Sequence, residues 1–123
     1  SGGGGLVSTV RDYARFCSVL IGEGKSGEIR LLKAKTLQLM YSDQLRGIAG
    51  DFQFGLGFKI QRIEVGSGDS ARKRMQYSWA GYASTDFRVV PEERLIQIFV
   101  RQEVPSSHTL ANELFRDIYQ GLE

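Results

Sequence analysis

Two spacings of apolar residues divide the chain. Val10, Tyr13, Ala14, Cys17, Leu20 and Ile21 recur at helical intervals and predict one apolar helix face. Thr9 followed three residues later by Asp12 has the pattern of a capping box, and Asp12 also suits the positive end of the helix dipole. Gly22 and Gly24 are expected to end that helix, because a left-handed residue there costs glycine nothing. A second helix is predicted over 34 to about 41 through Leu37, Met40 and Tyr41, with Lys33 standing where a capping Ser or Asp would help. The segment "SDQLRGIAGD" then reads as a loop.

The period changes to two in "FQFGLGFKIQRI", where Phe54, Leu56, Phe58 and Ile60 alternate with Gly55, Gly57, Lys59 and Gln61 and predict a strand. Glycines on the second face weaken a strand unless another group approaches closely there. "GSGDSARKR" reads as a loop in which Arg72, Lys73 and Arg74 form a solvated tip rather than an anion site. A strand over 75–80, a small-residue bend, the strand "TDFRVV" and a turn at 91–94 follow. "LIQIFV" is nearly continuous apolar, as in a strand covered on both faces. Ser106 or Ser107 is expected to cap a last helix whose stripe contains Leu110, Ala111, Leu114, Phe115, Ile118, Tyr119 and Leu122. Packing on a sheet outweighs a partner-binding face as the reading of that stripe.

These elements predict an α+β fold: an antiparallel sheet of three to four strands, flanked by N-terminal helices and a C-terminal helix. Residues 1–123 make one domain or part of one, with 1–7, led by "SGGGG", as a flexible glycine-rich lead-in.

Composition adds mostly exclusions. Hydrophobic residues at 41% and charged residues at 24% are ordinary for a folded domain. A net charge of +2, from 16 basic and 14 acidic residues, is too balanced for a nucleic-acid partner. The apolar runs are strand-sized, so no membrane span is expected, and no signal peptide is recognisable. Cys17, the single cysteine, lies on an apolar helix face and reads as a small buried hydrophobe. With His108 as the other soft ligand, neither metal nor cofactor is expected.

Several segments match a family in order: "GGGGLVSTVRDYARFCSVLIGEG", "RLLKAKTLQLM", "FGLGFKI", "WAGYASTDFRVVPEERLIQIFVRQ" and the closing amphipathic helix. Together they resemble the C-terminal portion of the serine β-lactamase and penicillin-binding-protein superfamily. The resemblance is closest to class C β-lactamases and family VIII esterases. It implies covalent acyl transfer, with a Ser-x-x-Lys nucleophile and base, a second proton-transfer motif, and a Lys-Thr-Gly-like triplet as the opposite wall. Trp79, Ala80 and Gly81 match that triplet, since the esterase-like branch accepts Trp in its first position. The resemblance assigns the substrate-binding wall to Trp79, Ala80, Gly81, Tyr82 and Gln102. Gly81 would leave room for substrate against the backbone, and the Tyr82 N–H would be one oxyanion-hole donor.

The departures bear on activity. Ser70 and Lys73 in "SARK" satisfy the bare Ser-x-x-Lys spacing, but they fall in a charged loop after the glycine segment rather than opening a helix before it. No Tyr-x-Asn triplet stands upstream, so no nucleophile or other catalytic residue is expected in this chain. Trp-Ala-Gly in place of Lys-Thr-Gly removes a cation for the carboxylate of a β-lactam, which favours an ester, a peptide or another acyl substrate. Ser84 occupies a turn position where the esterase-like pattern usually has glycine. His108 adjoins Ser106 and Ser107, with no acid evident to orient it.

The resemblance thus implies an incomplete β-lactamase/transpeptidase-like fold whose partner is the missing N-terminal part of the parent protein. Exposed sheet edge or face would favour a homodimer or strand exchange. It also implies a periplasmic or secreted parent. A non-catalytic ligand- or protein-binding module on the same shell is the alternative.

Overall fold

The structure is a computed structural model that describes residues 5–122. Residues 1–4 of the predicted lead-in lie outside the described residues, and residues 5–9 carry no regular structure. Helix α1 (Val10–Ile21) is followed by the two-stranded ribbon β1 (Lys25–Ser26) and β2 (Ile29–Arg30), then by α2 (Ala34–Met40). The main sheet contains β3 (Gln53–Phe54), β4 (Lys59–Val65), β5 (Arg72–Ala80), β6 (Asp86–Val90) and β7 (Leu95–Phe99). Its order is β3-β4-β5-β6-β7, with every neighbouring pair antiparallel. Helix α3 (Thr109–Gln120) closes the chain. Among the described residues, no helix is long and apolar enough to cross a membrane.

The register sorts the side chains onto two faces. Tyr77 pairs with Val89, Trp79 with Phe87, and Phe87 with Ile98, so these share a face. There Phe58, Phe87 and Val89 pack with Cys17 and Leu20 of α1 and Leu37 of α2. On the opposite face Val65 and Val90 meet Ala111, Phe115 and Tyr119 of α3. Full burial of a Leu, Val or Phe contributes about 1.5–3 kcal/mol each, so these two clusters clamp the sheet from both sides.

At the start of α1 Thr9 caps as predicted, but the reciprocal bond of a capping box is replaced by one from the Thr9 hydroxyl. The Asp12 N–H donates to Thr9 Oγ1 at 3.1 Å, and Thr9 Oγ1 donates to Asp12 Oδ2 at 2.9 Å. Its end differs. Gly22 has φ −83°, and the left-handed residues are Glu23 and Gly24, at φ 54° and 90°. Gly22 serves by its size, because a Cβ there would lie 2.2 Å from the Lys25 carbonyl oxygen.

The sheet has five strands rather than three or four, since "FQFGLGFKIQRI" folds as a hairpin and not as one strand. The Gly55 N–H donates to the Phe58 carbonyl at 2.8 Å, and Gly57 turns the chain at φ 96°. A Cβ at Gly55 would stand 1.9 Å from the Met40 carbonyl oxygen, which is the close approach that a strand glycine signals.

Arg72, Lys73 and Arg74 are not a loop tip, because β5 begins at Arg72. Arg72 Nη2 and Arg74 Nε each reach a different oxygen of Glu93 at 2.6 Å. These charges hold the Glu93 carboxyl down at about 2, chiefly through the Arg72 hydrogen bond.

Strand β7 is an edge strand, yet it is covered on both faces as predicted: Ile96 and Ile98 pack on the side of α1 and α2, Leu95 and Phe99 on the side of α3, and only Val100 beyond it is exposed. One further expectation changes. Helix α3 is capped by His108 with no side-chain hydrogen bond, not by Ser106 or Ser107. Only part of its stripe is buried: Leu110, Leu114 and Ile118 remain exposed.

Candidate functional site

Strand β5 carries Trp79 to the end of the sheet, where the chain bends at 81–85 into β6. Trp79 is half exposed, with its indole edge-on to Phe54 at a centroid distance of 4.9 Å. It shares a cavity of about 330 Å³ with Tyr13, Phe87, Ile98 and the start of α1. Ala80 and Gly81 line the same cavity. Asp86 is the one charged residue in that lining, and Arg88 holds both its oxygens at 3.2 Å. Burial lifts the Tyr13 hydroxyl to about 12, so it is neutral and able to donate at ordinary pH.

Hydrogen bonds fix the bend. The Gly81 N–H donates to the Thr85 carbonyl at 2.8 Å, and the Ser84 N–H donates to the Gly81 carbonyl at 3.2 Å. Tyr82 sits inside this turn with an exposed side chain, and among the described residues its N–H has no acceptor. A Cβ at Gly81 would meet Thr85 Oγ1 at 2.2 Å. The space that glycine opens is therefore taken by a threonine of the same bend.

Ser84 is fully buried and adopts φ 67°, the conformation a glycine would take. Its hydroxyl donates to the Glu103 carbonyl at 2.9 Å and accepts from the Ser107 N–H at 3.0 Å. The Glu103 N–H donates to the Ala83 carbonyl at 3.2 Å. The bend is thus laced to the segment joining β7 to α3. Gln102 lies in that segment, exposed and outside the cavity lining, so it flanks the bend rather than sharing the cavity with Trp79.

The other candidates stand apart. Ser70 ends a short 3-10 turn, and its hydroxyl donates to the Ser67 carbonyl at 2.8 Å while accepting from the Ser67 N–H at 3.1 Å. Among the described residues no hydrogen bond joins Lys73 to it. Cys17 is fully buried, and burial pushes its thiol up to about 11. His108 does have an acid nearby, with Nδ1 4.0 Å from Asp86 Oδ2, but Ser107 contributes only its backbone N–H to this region. Thr85, Tyr13 and Phe54 belong to the wall without having been singled out in the sequence. Tyr13 and Phe54 left a signal only as apolar positions of their elements, by helical spacing and by alternation, and Thr85 left none.

No protein-family model matches the chain. It is similar to protein Rv1367c of Mycobacterium tuberculosis strain H37Rv and to the uncharacterized protein MT1414 of strain CDC 1551. Each is 30% identical over 118 residues, covering 84% of this chain. The match spans only 29% of the length of those relatives. Among solved structures, the chain resembles that of a candidate beta-lactamase from Bacteroides dorei DSM 17855. The TM-score is 0.60 at 21% identity, covering 93% of this chain and 41% of that one. The chain has a beta-lactamase-like fold.

Proposed function

We propose that this chain is the C-terminal part of a serine hydrolase related to class C β-lactamases and family VIII esterases. In this reading it supplies one wall of the acyl-transfer cleft and one oxyanion-hole donor, and the nucleophile lies in a preceding part of the parent. The observation that carries the reading is the Tyr82 N–H. It has no acceptor among the described residues, and it sits in a braced bend beside the cavity that Trp79 lines. A preorganised donor of this kind is worth about 3–4 kcal/mol where negative charge develops on a carbonyl oxygen.

The cavity lining offers no cation to an anionic substrate. An ester, a peptide or another uncharged acyl group fits it better than a β-lactam carboxylate. The engaged hydroxyl of Ser70 supports the absence of a nucleophile from this chain. The partner in this reading is the missing N-terminal part of the parent. The open edge of β7 and the exposed Leu110, Leu114 and Ile118 of α3 give it a place to add. In its absence a second copy is expected to occupy that edge, as a homodimer or by strand exchange.

The reading is tested by sequencing the parent gene upstream of the codon for Gly2. A Ser-x-x-Lys opening a helix, with a Tyr-x-Asn-like triplet before the glycine segment, is the expected result. Finding neither would leave a non-catalytic binding module on the same shell. The chain alone is expected to give no burst of nitrophenol from nitrophenyl butyrate, and a burst abolished by Ser70→Ala would overturn that.

A further inference from the structure

The face of β5 opposite the Trp79 side chain buries polar groups. Gln76 and Ser78 are 3% and 7% exposed, and they face a groove of about 470 Å³ between the strands and α3. Lys59 of β4 and Asn112 of α3 stand on its walls. Sheet faces under a helix are ordinarily apolar, and buried polar groups persist where they have partners to bond.

The hydrogen bonds around the groove orient two of its three amides, while the exposed Gln61 on its wall makes no side-chain hydrogen bond among the described residues. Arg88 can only donate, and its Nη2 bonds Asn112 Oδ1, so the Asn112 NH₂ is left outward. The Tyr119 hydroxyl donates to Gln76 Oε1, which leaves the Gln76 NH₂ with no protein partner closer than Ser78 Oγ at 3.5 Å. The Lys59 ammonium has no partner among the described residues. The acid on the wall, Asp86, has both oxygens on Arg88. The groove therefore presents N–H and O–H donors and one free positive charge.

The geometry points to an oxyanion site in this groove, with Lys59, Gln76, Ser78 and Asn112 donating to a carboxylate or phosphate group of a small ligand. The groove borders the cavity of the proposed cleft at Trp79, Ala80 and Asp86, but none of its four donors lines that cavity, so the site stands or falls without the hydrolase reading.

The test is a titration of the ¹⁵N-labelled chain with inorganic phosphate and, separately, with acetate, at ionic strength held constant with chloride. Saturable shifts of the Gln76 and Asn112 side-chain NH₂ signals are expected. Lys59→Gln should weaken the response about tenfold, the scale of one hydrogen bond to a charged group. Saturation by phosphate alone would assign a phosphate group, and saturation by acetate a carboxylate. Shifts that stay linear with both anions, that scatter over surface lysines, or that survive Lys59→Gln unchanged would overturn the site. Lys59 is partly exposed, so its substitution leaves both cores intact.

Discussion

The Ser84 hydroxyl accepts the Ser107 N–H at 3.0 Å and so fastens the bend after β5 to the approach to α3. With its second bond to the Glu103 carbonyl, a side chain in a glycine-like conformation becomes the brace of the turn that presents Tyr82. Ser84→Ala leaves a buried donor and a buried acceptor unpaired, and is expected to cost about 1–3 kcal/mol. Ser84→Gly loses the same bonds but relieves the left-handed strain, so it should be milder by about 1 kcal/mol. Urea denaturation of the three proteins ranks them; equal stability of all three would remove the brace.

Gly55 and Gly57 sit two residues apart and have different reasons to be glycine. A Cβ at Gly55 runs into the Met40 carbonyl oxygen at 1.9 Å, and backbone cannot swing aside. Gly55→Ala should cost about 3 kcal/mol. Gly57 has open space around it and φ 96°, so Gly57→Ala should cost about 1–2 kcal/mol. Thermal unfolding separates the two, and the reverse order would contradict the packing of α2 on the hairpin.

That pair also marks what the sequence made legible. The Thr9–Asp12 cap is local, and residue types three apart announced it. The glycine alternation at 55 and 57 signalled a close approach, but Met40 lies on another element, and spacing alone read the hairpin as one strand. Arg72 and Arg74 looked like a solvated tip because Glu93, which draws them into β5, lies about twenty residues away in sequence. The apolar stripe of α3 was visible, but periodicity does not say which neighbour covers which residue. At the site, Trp79 to Gly81 stood out through a resemblance. The Ser84 bonds and the filling of Gly81's space by Thr85 depend on contacts that the sequence does not display.

Glu93 predicts an acid dependence. Its carboxyl titrates near 2 in the folded chain against an ordinary 4.5, so its contribution is fully present above pH 4.5. Stability should then fall as pH drops from 4.5 toward 2. Glu93→Gln should be less stable at neutral pH, with a smaller drop over that interval. Parallel curves for the two proteins in pH-dependent thermal melts would count against the Arg72–Glu93–Arg74 cluster.

Cys17 is expected to behave as a core residue. With its thiol pushed up to about 11 and no exposed surface, it should react with a disulfide reagent at pH 8 only as fast as the chain opens. Labelling that accelerates with urea in step with unfolding is the expected result. Rapid labelling of the native chain would place Cys17 at an accessible site.

The most direct test of the cleft-wall account is reconstitution. The chain is mixed with the polypeptide encoded immediately upstream in its gene, and nitrophenyl butyrate hydrolysis is measured for the wild type and for Tyr82→Pro. Tyr82 follows Gly81 in a turn closed by the Ser84 N–H, a position that suits proline, so the substitution removes the N–H while keeping the bend. The account predicts turnover only in the mixture, with kcat about 10²–10³-fold lower for Tyr82→Pro. Turnover by the mixture that Tyr82→Pro leaves unchanged, or no turnover at all, would contradict it.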